Sequence, residues 1–354
     1  MKVCILGEGL TSLTLAKTLV NKGINVDIFS SNSSLIKDTN RTLGISKSNI
    51  EFFNKNILDI QNILWNIDKI EIYSEKLNNE KILDFENKGE NLFYIVKNHQ
   101  LVSILSNELK KSKLVNFYKK IPNNVQKKYK LVINCDFANL ITKKYFYNKF
   151  KKNYKSRAYT SVIKHTKKKN KIATQIFTSK GPIAFLPISK TETSVVYSFK
   201  GKDVIDFPNL VRKFNRIYEI NSIQDFSFFD LKSSNLRVYH HKNILAFGDL
   251  LHKIHPLAGQ GFNMSIRDIK EILKIINMRL ENGLDLDSSI CLDFENKMKH
   301  KNYIFSNGID FVYEFFNFET KINNSILSKS VKFLGKNKVI NSLFTKFADN
   351  GINI

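Results

Sequence analysis

Two glycines near the amino terminus have the spacing of a phosphate-binding turn. The run Gly7-Glu-Gly9-Leu-Thr-Ser12 follows an apolar stretch and precedes apolar residues at helical spacing. Glycine keeps such a strand-to-helix turn tight and lets backbone N–H groups approach a pyrophosphate, which the helix amino terminus also attracts. Ser12 replaces the usual third glycine and is small enough to keep helix and strand close. The run predicts a dinucleotide-binding βαβ unit, with an ordinary glycine-rich turn as the alternative.

A longer and more specific run lies between Gly248 and Asp268. It reads Gly248-Asp-Leu-Leu-His-Lys-Ile-His-Pro-Leu-Ala-Gly-Gln-Gly-Phe-Asn-Met-Ser-Ile-Arg-Asp268. This run resembles the FAD-dependent aromatic-ring hydroxylases of ubiquinone biosynthesis, which are p-hydroxybenzoate hydroxylase-like flavoprotein monooxygenases. The family pattern is G-D-A-A-H-x-x-H-P-x-A-G-Q-G-x-N-x-G-x-x-D, and nearly every position is met.

The resemblance implies FAD as the cofactor and gives each part of the run a role. Asp249 would accept hydrogen bonds from the ribityl hydroxyls. The loop 256–261 would lay bare backbone against the isoalloxazine, and the helix from about Asn263 would stabilise negative charge on the reduced ring. The residues with a predicted cofactor-binding role are Gly7, Gly9, Ser12, Arg41, Gly248, Asp249, Pro256, Gly259, Gln260, Gly261 and Asn263.

Two shorter stretches also resemble the family. Residues 173–187 resemble its A-x-x-F and G-P-x-A-x-L-P segments, which implies that Pro187, like Pro256, lies near the flavin. Residues 41–46 resemble its R-x-x-x-L-S segment, whose arginine, here Arg41, lies near the cofactor; a surface arginine is the alternative. The catalytic residues stay unknown, because the resemblance implies that the chemistry is centred on the flavin, and His252 and His255 are not obvious acid–base catalysts.

Three positions depart from the family pattern. Ser30 stands where an acidic residue would bind the ribose, and Asp27 alternates to another position. The middle D-G-x-x-S motif begins at Asp136 but lacks its glycine and serine, and Lys143 or Lys144 are the candidates for the arginine that follows. Because that motif positions a nicotinamide nucleotide, the electron donor stays open between NAD(P)H and another reductant.

The order of apolar patterns predicts an α/β fold with a helical carboxy-terminal region. Strand, helix and strand patterns fill the first 30 residues, and alternating patterns typical of antiparallel strands fill much of the middle. A Rossmann-like FAD-binding domain interrupted by a β-rich substrate domain fits this order. The predicted ranges are 1–67, 97–150 and 236–300 for the FAD-binding domain, 68–96 and 151–235 for the substrate domain, and 301–354 for the helical region.

The chain is strongly basic. It has 56 Lys and Arg against 32 Asp and Glu, a net charge of +24, and residues 127–171 hold fifteen basic residues and one acid. One explanation is an overall composition rich in Lys, Asn, Ile and Phe; the other is attraction to an anionic surface. With no motif that reads nucleic acid, we rank a membrane surface above nucleic acid.

Hydropathy, cysteines and histidines limit the functions that the sequence allows. The sequence predicts neither a transmembrane helix nor a signal peptide, and its three distant cysteines indicate a reducing cytoplasm. We predict no metal, since the family pattern accounts for both His252 and His255. The implied activity is a monooxygenase that uses O2 to hydroxylate the ring of a polyprenylated phenol in ubiquinone biosynthesis, at the membrane periphery or in a quinone-biosynthesis complex. The alternatives are a catalytically weak FAD-binding scaffold subunit of such a complex and a related flavoprotein reductase or epoxidase.

Overall fold

The strands in the described part of the chain form three sheets. The computed structural model describes residues 1–30, 40–86, 91–201, 205–255 and 260–322. Within these ranges the strands are β1 (Lys2–Leu6), β2 (Asn25–Phe29), β3 (Thr42–Ser46), β4 (Trp65–Ile67), β5 (Lys69–Ser74), β6 (Glu80–Glu86), β7 (Phe93–Lys97), β8 (Val115–Tyr118), β9 (Val132–Asn134), β10 (Lys149–His165), β11 (Ile172–Thr178), β12 (Gly181–Pro187), β13 (Glu192–Lys200), β14 (Ile220–Ile223), β15 (Ser227–Leu236), β16 (His240–His241), β17 (Ile244–Ala246) and β18 (His252–Lys253).

The α-helices alternate with the strands in the first half of the chain. In the second half, one helix lies between strands and two long helices follow them. Those in the described ranges are α1 (Leu10–Val20), α2 (Lys47–Asn56), α3 (Asn98–Lys111), α4 (Val125–Lys128), α5 (Leu140–Tyr145), α6 (Phe207–Phe214), α7 (Gln260–Glu281) and α8 (Ser289–Ile322). The mixed α/β fold with a helical carboxy-terminal region is confirmed, although α8 begins before the predicted boundary at 301 and residues 323–354 lie outside the described ranges.

The first sheet contains the predicted βαβ unit. Its strand order is β16-β17-β9-β1-β2-β8, and all neighbours except β16 and β17 are parallel. Helix α1 connects β1 to β2. Its apolar residues Leu13, Ala16 and Leu19 recur at helical spacing, so they form one face of the helix, and this face is fully buried. Gly23 then ends the connection with φ of +73°, a left-handed conformation that glycine adopts without strain. Helix, turn and strand were all predicted from the sequence.

The second sheet is the β-rich part of the fold. It has nine strands, in the order β18-β15-β10-β13-β12-β11-β5-β6, with β14 paired to β10. Most pairs are antiparallel as predicted, but β5 and β11 are parallel, which corrects the expectation for these two segments. They lie about one hundred residues apart in the chain, so no hairpin turn between them could have indicated their pairing.

A small third sheet joins the two large ones. Its order is β3-β7-β4, and β7 comes from the range assigned to the substrate domain, whereas β3 and β4 come from the range assigned to the FAD-binding domain. The Thr42 hydroxyl in β3 donates to Ser194 Oγ in β13 at 2.9 Å, which ties this sheet to the nine-stranded sheet. The predicted domain boundaries stay a prediction.

Helices α7 and α8 cover the region where the sheets meet. The predicted apolar face of α7 is buried, with Ile266, Ile269 and Ile272 fully inaccessible. Phe305 and Ile309 of α8 pack with Met264 of α7 against Phe177 of β11. Among the described residues, no helix combines the length and the hydropathy that a membrane span requires.

The carboxylate of Asp27 stabilises the first sheet. It accepts hydrogen bonds from the Tyr129 hydroxyl at 2.6 Å and from the Asn116 amide at 3.0 Å, and Lys2 Nζ lies 3.1 Å away. Burial acts to raise the pKa of Asp27, but the hydrogen bonds and Lys2 outweigh burial and lower it. Its oxygens therefore have partners inside the protein, which agrees with the expectation that Asp27 does not replace the acidic residue missing at Ser30.

Candidate functional site

The predicted cofactor residues gather where three parallel strands end. Strands β1, β9 and β17 are neighbours, and each is followed by a loop that carries part of the predicted site. A Cβ built on Gly7 would lie 3.4 Å from the backbone nitrogen of Asp136, and one built on Gly248 would lie 2.9 Å from Thr11 Cγ2. In open α/β sheets, ligands bind at this edge, outside the carboxyl ends of the strands.

Four glycines at this edge fall into two classes. Gly7 and Gly248 have φ of +103° and +64°, so the backbone itself requires glycine there. Gly9 has an ordinary extended conformation, and a Cβ at Gly9 or Gly261 would meet no atom of the described residues within 4 Å. Packing of the described residues alone does not require glycine at these two positions. Their bare backbone fits a cradle in which a ligand, rather than a side chain, lies against the chain.

The start of α1 offers backbone donors to an anion. Gly9 is its N-cap, and among the described residues no side chain caps the helix and no acid lies in its first turn. The first N–H groups of a helix have no partner within the helix and carry a partial positive charge. Ser12 is buried against Gly7, as expected for a small residue in the third glycine position. This geometry suits one phosphate of a dinucleotide.

Asp249 is placed to accept hydrogen bonds. It follows β17 in a short 3-10 turn and is half-buried. Its carboxylate makes no hydrogen bond or ion pair with the described residues, in contrast to Asp27. A carboxylate in a partly buried loop prefers hydrogen-bond donors around its oxygens. The ribityl hydroxyls of FAD would supply such donors.

The side chain of Asn263 is occupied by protein partners. Its amide oxygen accepts from Ser46 N at 3.0 Å and from Asn49 Nδ2 at 2.9 Å, and its Nδ2 donates to Gly44 O at 2.9 Å. These bonds tie the first turn of α7 to β3 and α2. The Asn263 side chain therefore has partners within the protein, and its cofactor role stays a prediction. Helix α7 begins at Gln260, slightly earlier than predicted.

The Asp136 loop keeps its shape despite lacking the family's glycine and serine. Asp136 Oδ1 accepts from Ala138 N at 2.8 Å, and the Asn139 side chain caps α5 by accepting from Thr142 N at 2.7 Å. Asn134 Oδ1 accepts from Asp136 N at 3.1 Å and from Asn139 Nδ2 at 2.9 Å. Asparagine side chains thus hold the loop against Gly7, in the place where the family motif would lie.

Behind the loop after β17 lies a buried polar cluster. His252 Nε2 contacts the carboxylate of Asp268 in α7, and Asp268 Oδ1 accepts from Asn302 Nδ2 of α8 at 2.9 Å. All three side chains are at most 4% exposed. Burial acts to lower the pKa of His252, but the charge and hydrogen bond of Asp268, together with the charge of Asp249, raise it. The cluster joins three elements around the candidate site.

The second histidine of the run belongs to a different cluster. The His255 ring packs against Tyr154 and Tyr313, with ring centroids 4.8 and 4.3 Å apart. Burial lowers its pKa to about 3, so the ring is neutral at physiological pH. The two histidines therefore have different partners, Asp268 for one and two tyrosines for the other.

The structure places the other predicted residues as follows. Arg41 is exposed at the start of β3, and Pro187 is buried at the end of β12, where it pairs with Thr193 next to Ser194. Gln260 is buried and accepts from Arg267 Nη2 at 3.4 Å. Pro256 and Gly259 lie outside the described residues, and a cofactor role for any of these residues stays a prediction.

Sequence reasoning missed Asn302 and Asn49. Each donates its side-chain amide to a buried acceptor on α7, namely Asp268 and Asn263. The spacing of either asparagine in the sequence gives no signal, because both partners become neighbours only when α8 and α2 pack on α7.

The sequence of this chain is similar to those of known flavoproteins and monooxygenases. Residues 210–290 match the family model described as FAD binding domain. The ubiquinone biosynthesis monooxygenase COQ6, mitochondrial, of Schizosaccharomyces pombe is 22% identical over 63% of this chain and 57% of that protein. Its counterpart in Danio rerio is 23% identical over 64% of this chain and 62% of that protein. The chain spans about three-fifths of the length of these relatives, and the resemblance predicted from the sequence is confirmed.

Solved structures settle the fold. p-Nitrophenol 4-monooxygenase PnpA from Pseudomonas putida DLL-E4 superposes with a TM-score of 0.80 and 12% identity, covering 99% of this chain and 98% of that one. The chain has the fold of the FAD-dependent monooxygenases. Klebsiella pneumoniae HpxO, solved with FAD and uric acid, superposes with a TM-score of 0.76 and 10% identity, covering 99% of this chain and 97% of that one.

Proposed function

We propose that the protein is an FAD-dependent monooxygenase that hydroxylates the aromatic ring of a polyprenylated phenol in ubiquinone biosynthesis. The observation that carries the proposal is the bare backbone at Gly9 and Gly261, together with the Asp249 carboxylate, which has no partner among the described residues. The three residues lie at the start of α1, on α7 and in the turn after β17, and these three elements contact one another. The relatives named for ubiquinone biosynthesis supply the substrate class.

In this proposal each part of the site has one task. The first turn of α1 binds the pyrophosphate through backbone N–H groups, and Asp249 orients the ribityl chain. The start of α7 stabilises negative charge on the ring, held in place by Asn263. FAD, when bound and reduced, supplies O2 activation: one oxygen atom enters the phenol ring and the other leaves as water, using two electrons from a donor.

The substrate ring would lie between the flavin edge and the nine-stranded sheet. Pro187 at the end of β12 and the loop that contains Pro256 would border it. The side chains of Phe177, Ile309 and Met264 form a buried apolar cluster between that sheet, α7 and α8. An apolar cover of this kind excludes water from the neighbouring ring chemistry.

The proposal is tested by turnover with purified protein. Protein reconstituted with FAD should convert a short-chain prenylated phenol to a product heavier by one oxygen atom, and label from 18O2 should appear in that product. NADPH, NADH and a chemical reductant are compared as donors. If flavin binds and is reduced but no label enters any prenylated phenol, the alternative of an FAD-binding scaffold subunit replaces this proposal.

Asp249→Ala should weaken FAD binding strongly. Each lost hydrogen bond to a charged group costs about 1.5–3 kcal/mol, which corresponds to roughly a ten- to 150-fold weaker affinity. Flavin fluorescence titration of the apoprotein measures this change. Asp249→Asn, which keeps one acceptor oxygen, is the matched control. Its affinity for FAD should lie between those of the wild-type protein and Asp249→Ala. Equal affinity of all three proteins would remove Asp249 from the site.

The scaffold alternative is favoured by Ser30 and by the altered motif at Asp136. The asparagine network around Asp136 favours the enzyme, because it keeps the loop in place beside Gly7.

A polyprenylated phenol dissolves in lipid, so the active site must reach a substrate that lies in a membrane. We therefore propose peripheral membrane association, or delivery by a quinone-biosynthesis complex, for a protein that works in the cytoplasm.

A further inference from the structure

One face of α8 is apolar and exposed. Ile304, Phe311 and Phe318 are 46%, 68% and 56% accessible. Spacings of seven residues put them on one side of the helix, together with His300. We call these four residues the outer stripe. The opposite face of α8 is packed into the protein, where Phe305 and Ile309 are less than 9% accessible. The outer stripe is thus a second apolar face, about 20 Å long between Ile304 and Phe318.

A cationic aromatic cleft borders the amino-terminal end of the outer stripe. It has a volume of about 360 Å³, and Phe150, Arg237, His300 and Tyr303 line it. The Arg237 guanidinium lies 4.2 Å from the centroid of the Phe150 ring, and the Phe150 and Tyr303 ring centroids are 5.8 Å apart. The guanidinium N–H groups of Arg237 make no hydrogen bond or ion pair with the described residues, and the side chain is exposed. Arg237 is therefore presented to solvent with donors that a phosphate can take.

These features fit a lipid surface better than a second helix. Two packed helices need apolar residues at both heptad core positions. Here the positions three residues after Ile304 and Phe311 are Asn307 and Glu314. The positions four residues after them are Gly308 and Phe315, so neither heptad register supplies a continuous second apolar row. A bilayer needs only one apolar row, with aromatic rings and cations beside it at the headgroup level. The charge of +24 and the cationic cleft complement anionic headgroups.

We propose that the outer stripe and the cleft at Arg237 dock the protein on the surface of an anionic phospholipid bilayer. The stripe enters the boundary of the acyl chains, and Arg237 binds a lipid phosphate. This inference deepens the proposed function, on which it rests for its substrate. The docking surface adjoins the candidate site, because Tyr303 follows Asn302, whose amide donates to Asp268 in the cluster with His252.

The proposed docking surface differs from the basic segment 127–171 that the sequence suggested for contact with a membrane. Strand β10 has 17 residues, a contour length of about 55 Å at 3.3 Å per residue, and a register shift between Asn153 and Arg157. Phe150 lies at its start, whereas Lys167 to Lys169 lie beyond its other end. Lys168 there donates to Ile217 O at 3.0 Å, and Lys171 lies 3.4 Å from Asp68. The basic segment 127–171 is therefore divided between distant surfaces, and the proposal assigns membrane contact to the Phe150 end.

Co-sedimentation with vesicles of phosphatidylcholine and phosphatidylglycerol tests the proposal with matched pairs of variants. Phe311→Gln is compared with Phe228→Gln, an aromatic residue 56% accessible on β15. Arg237→Glu is compared with Lys167→Glu, which changes the net charge equally. Phe311→Gln should weaken binding at least about fivefold, and Arg237→Glu about tenfold, with a smaller salt dependence. The two controls should change binding less than twofold.

Three outcomes would overturn the proposal. Wild-type protein that pellets no better with anionic than with neutral vesicles has no such surface. Controls that lose as much binding as their partners would assign binding to overall charge. A dimer that Phe311→Gln converts to a monomer, without a change in vesicle binding, would make the stripe an interface between two copies. FAD content and turnover of a short-chain phenol are measured in parallel, so that failure of the proposed function is recognised separately.

Discussion

Gly261→Val should yield a folded protein that has lost most of its FAD. A Cβ at this position meets no described atom within 4 Å, so the described residues leave room for a side chain to begin there. Valine is also a better helix former than glycine by a few tenths of a kcal/mol, and Gly261 lies in the first turn of α7. If the bare backbone receives the isoalloxazine, the added methyl groups overlap the ring. Such overpacking costs about 1–3 kcal/mol, or roughly a five- to 150-fold weaker affinity.

The decisive comparison for Gly261 is with Gly248→Ala. At Gly248 the backbone has φ of +64°, and a Cβ would lie 2.9 Å from Thr11 Cγ2. This variant should lower the midpoint of thermal unfolding even without FAD, whereas Gly261→Val should leave the apoprotein midpoint unchanged. Differential scanning calorimetry of apoprotein and FAD titration together separate the two effects. Gly261→Val protein that keeps full flavin content would show that the loop assignment is wrong.

The features that sequence alone predicted are those set by neighbouring residues, such as the periodic spacing of apolar side chains and the position of glycines. Residues of α1 and α7 recur every three or four positions, and each helix buries the predicted face, including Leu13 and Ile269. The residue order at Gly7 and Gly248 indicated turns, and both have the left-handed conformation that only glycine adopts easily. Local spacing therefore predicted the two helices and the two turns, which follow strands at the edge where the candidate site lies.

The features that sequence did not predict depend on distant partners. Asn263 matched a family position for the cofactor, yet its amide is bonded to Gly44 and Ser46, more than 200 residues earlier. The parallel pairing of β5 with β11 depends likewise on distant segments. The charge of residues 127–171 suggested one basic surface, but the length of β10 separates its two ends. None of these arrangements has a local pattern.

The His252–Asp268 pair should be costly to break on one side only. Both side chains are buried, and Asp268 also accepts from Asn302. Asp268→Ala leaves an imidazole and an amide inside the protein without their acceptor. Removing one partner of a buried charged pair costs about 3–5 kcal/mol, whereas replacing both partners by apolar groups of similar volume is often close to neutral. We expect Asp268→Ala to be far less stable than His252→Leu/Asp268→Leu, as measured by chemical denaturation.

The pH dependence of stability gives the same pair an independent test. Because the folded pKa of His252 is raised by Asp268 and Asp249, protonated His252 stabilises the folded state. This contribution is fully present below the unfolded pKa, which is about 6.5, and it is lost as pH rises through the folded pKa. The free energy of unfolding of the wild-type protein should therefore fall as pH rises through the folded pKa of His252. The double leucine variant should not show this loss of stability. Identical pH profiles for the two proteins would mean that His252 is neutral and that Asp268 acts only as a hydrogen-bond acceptor.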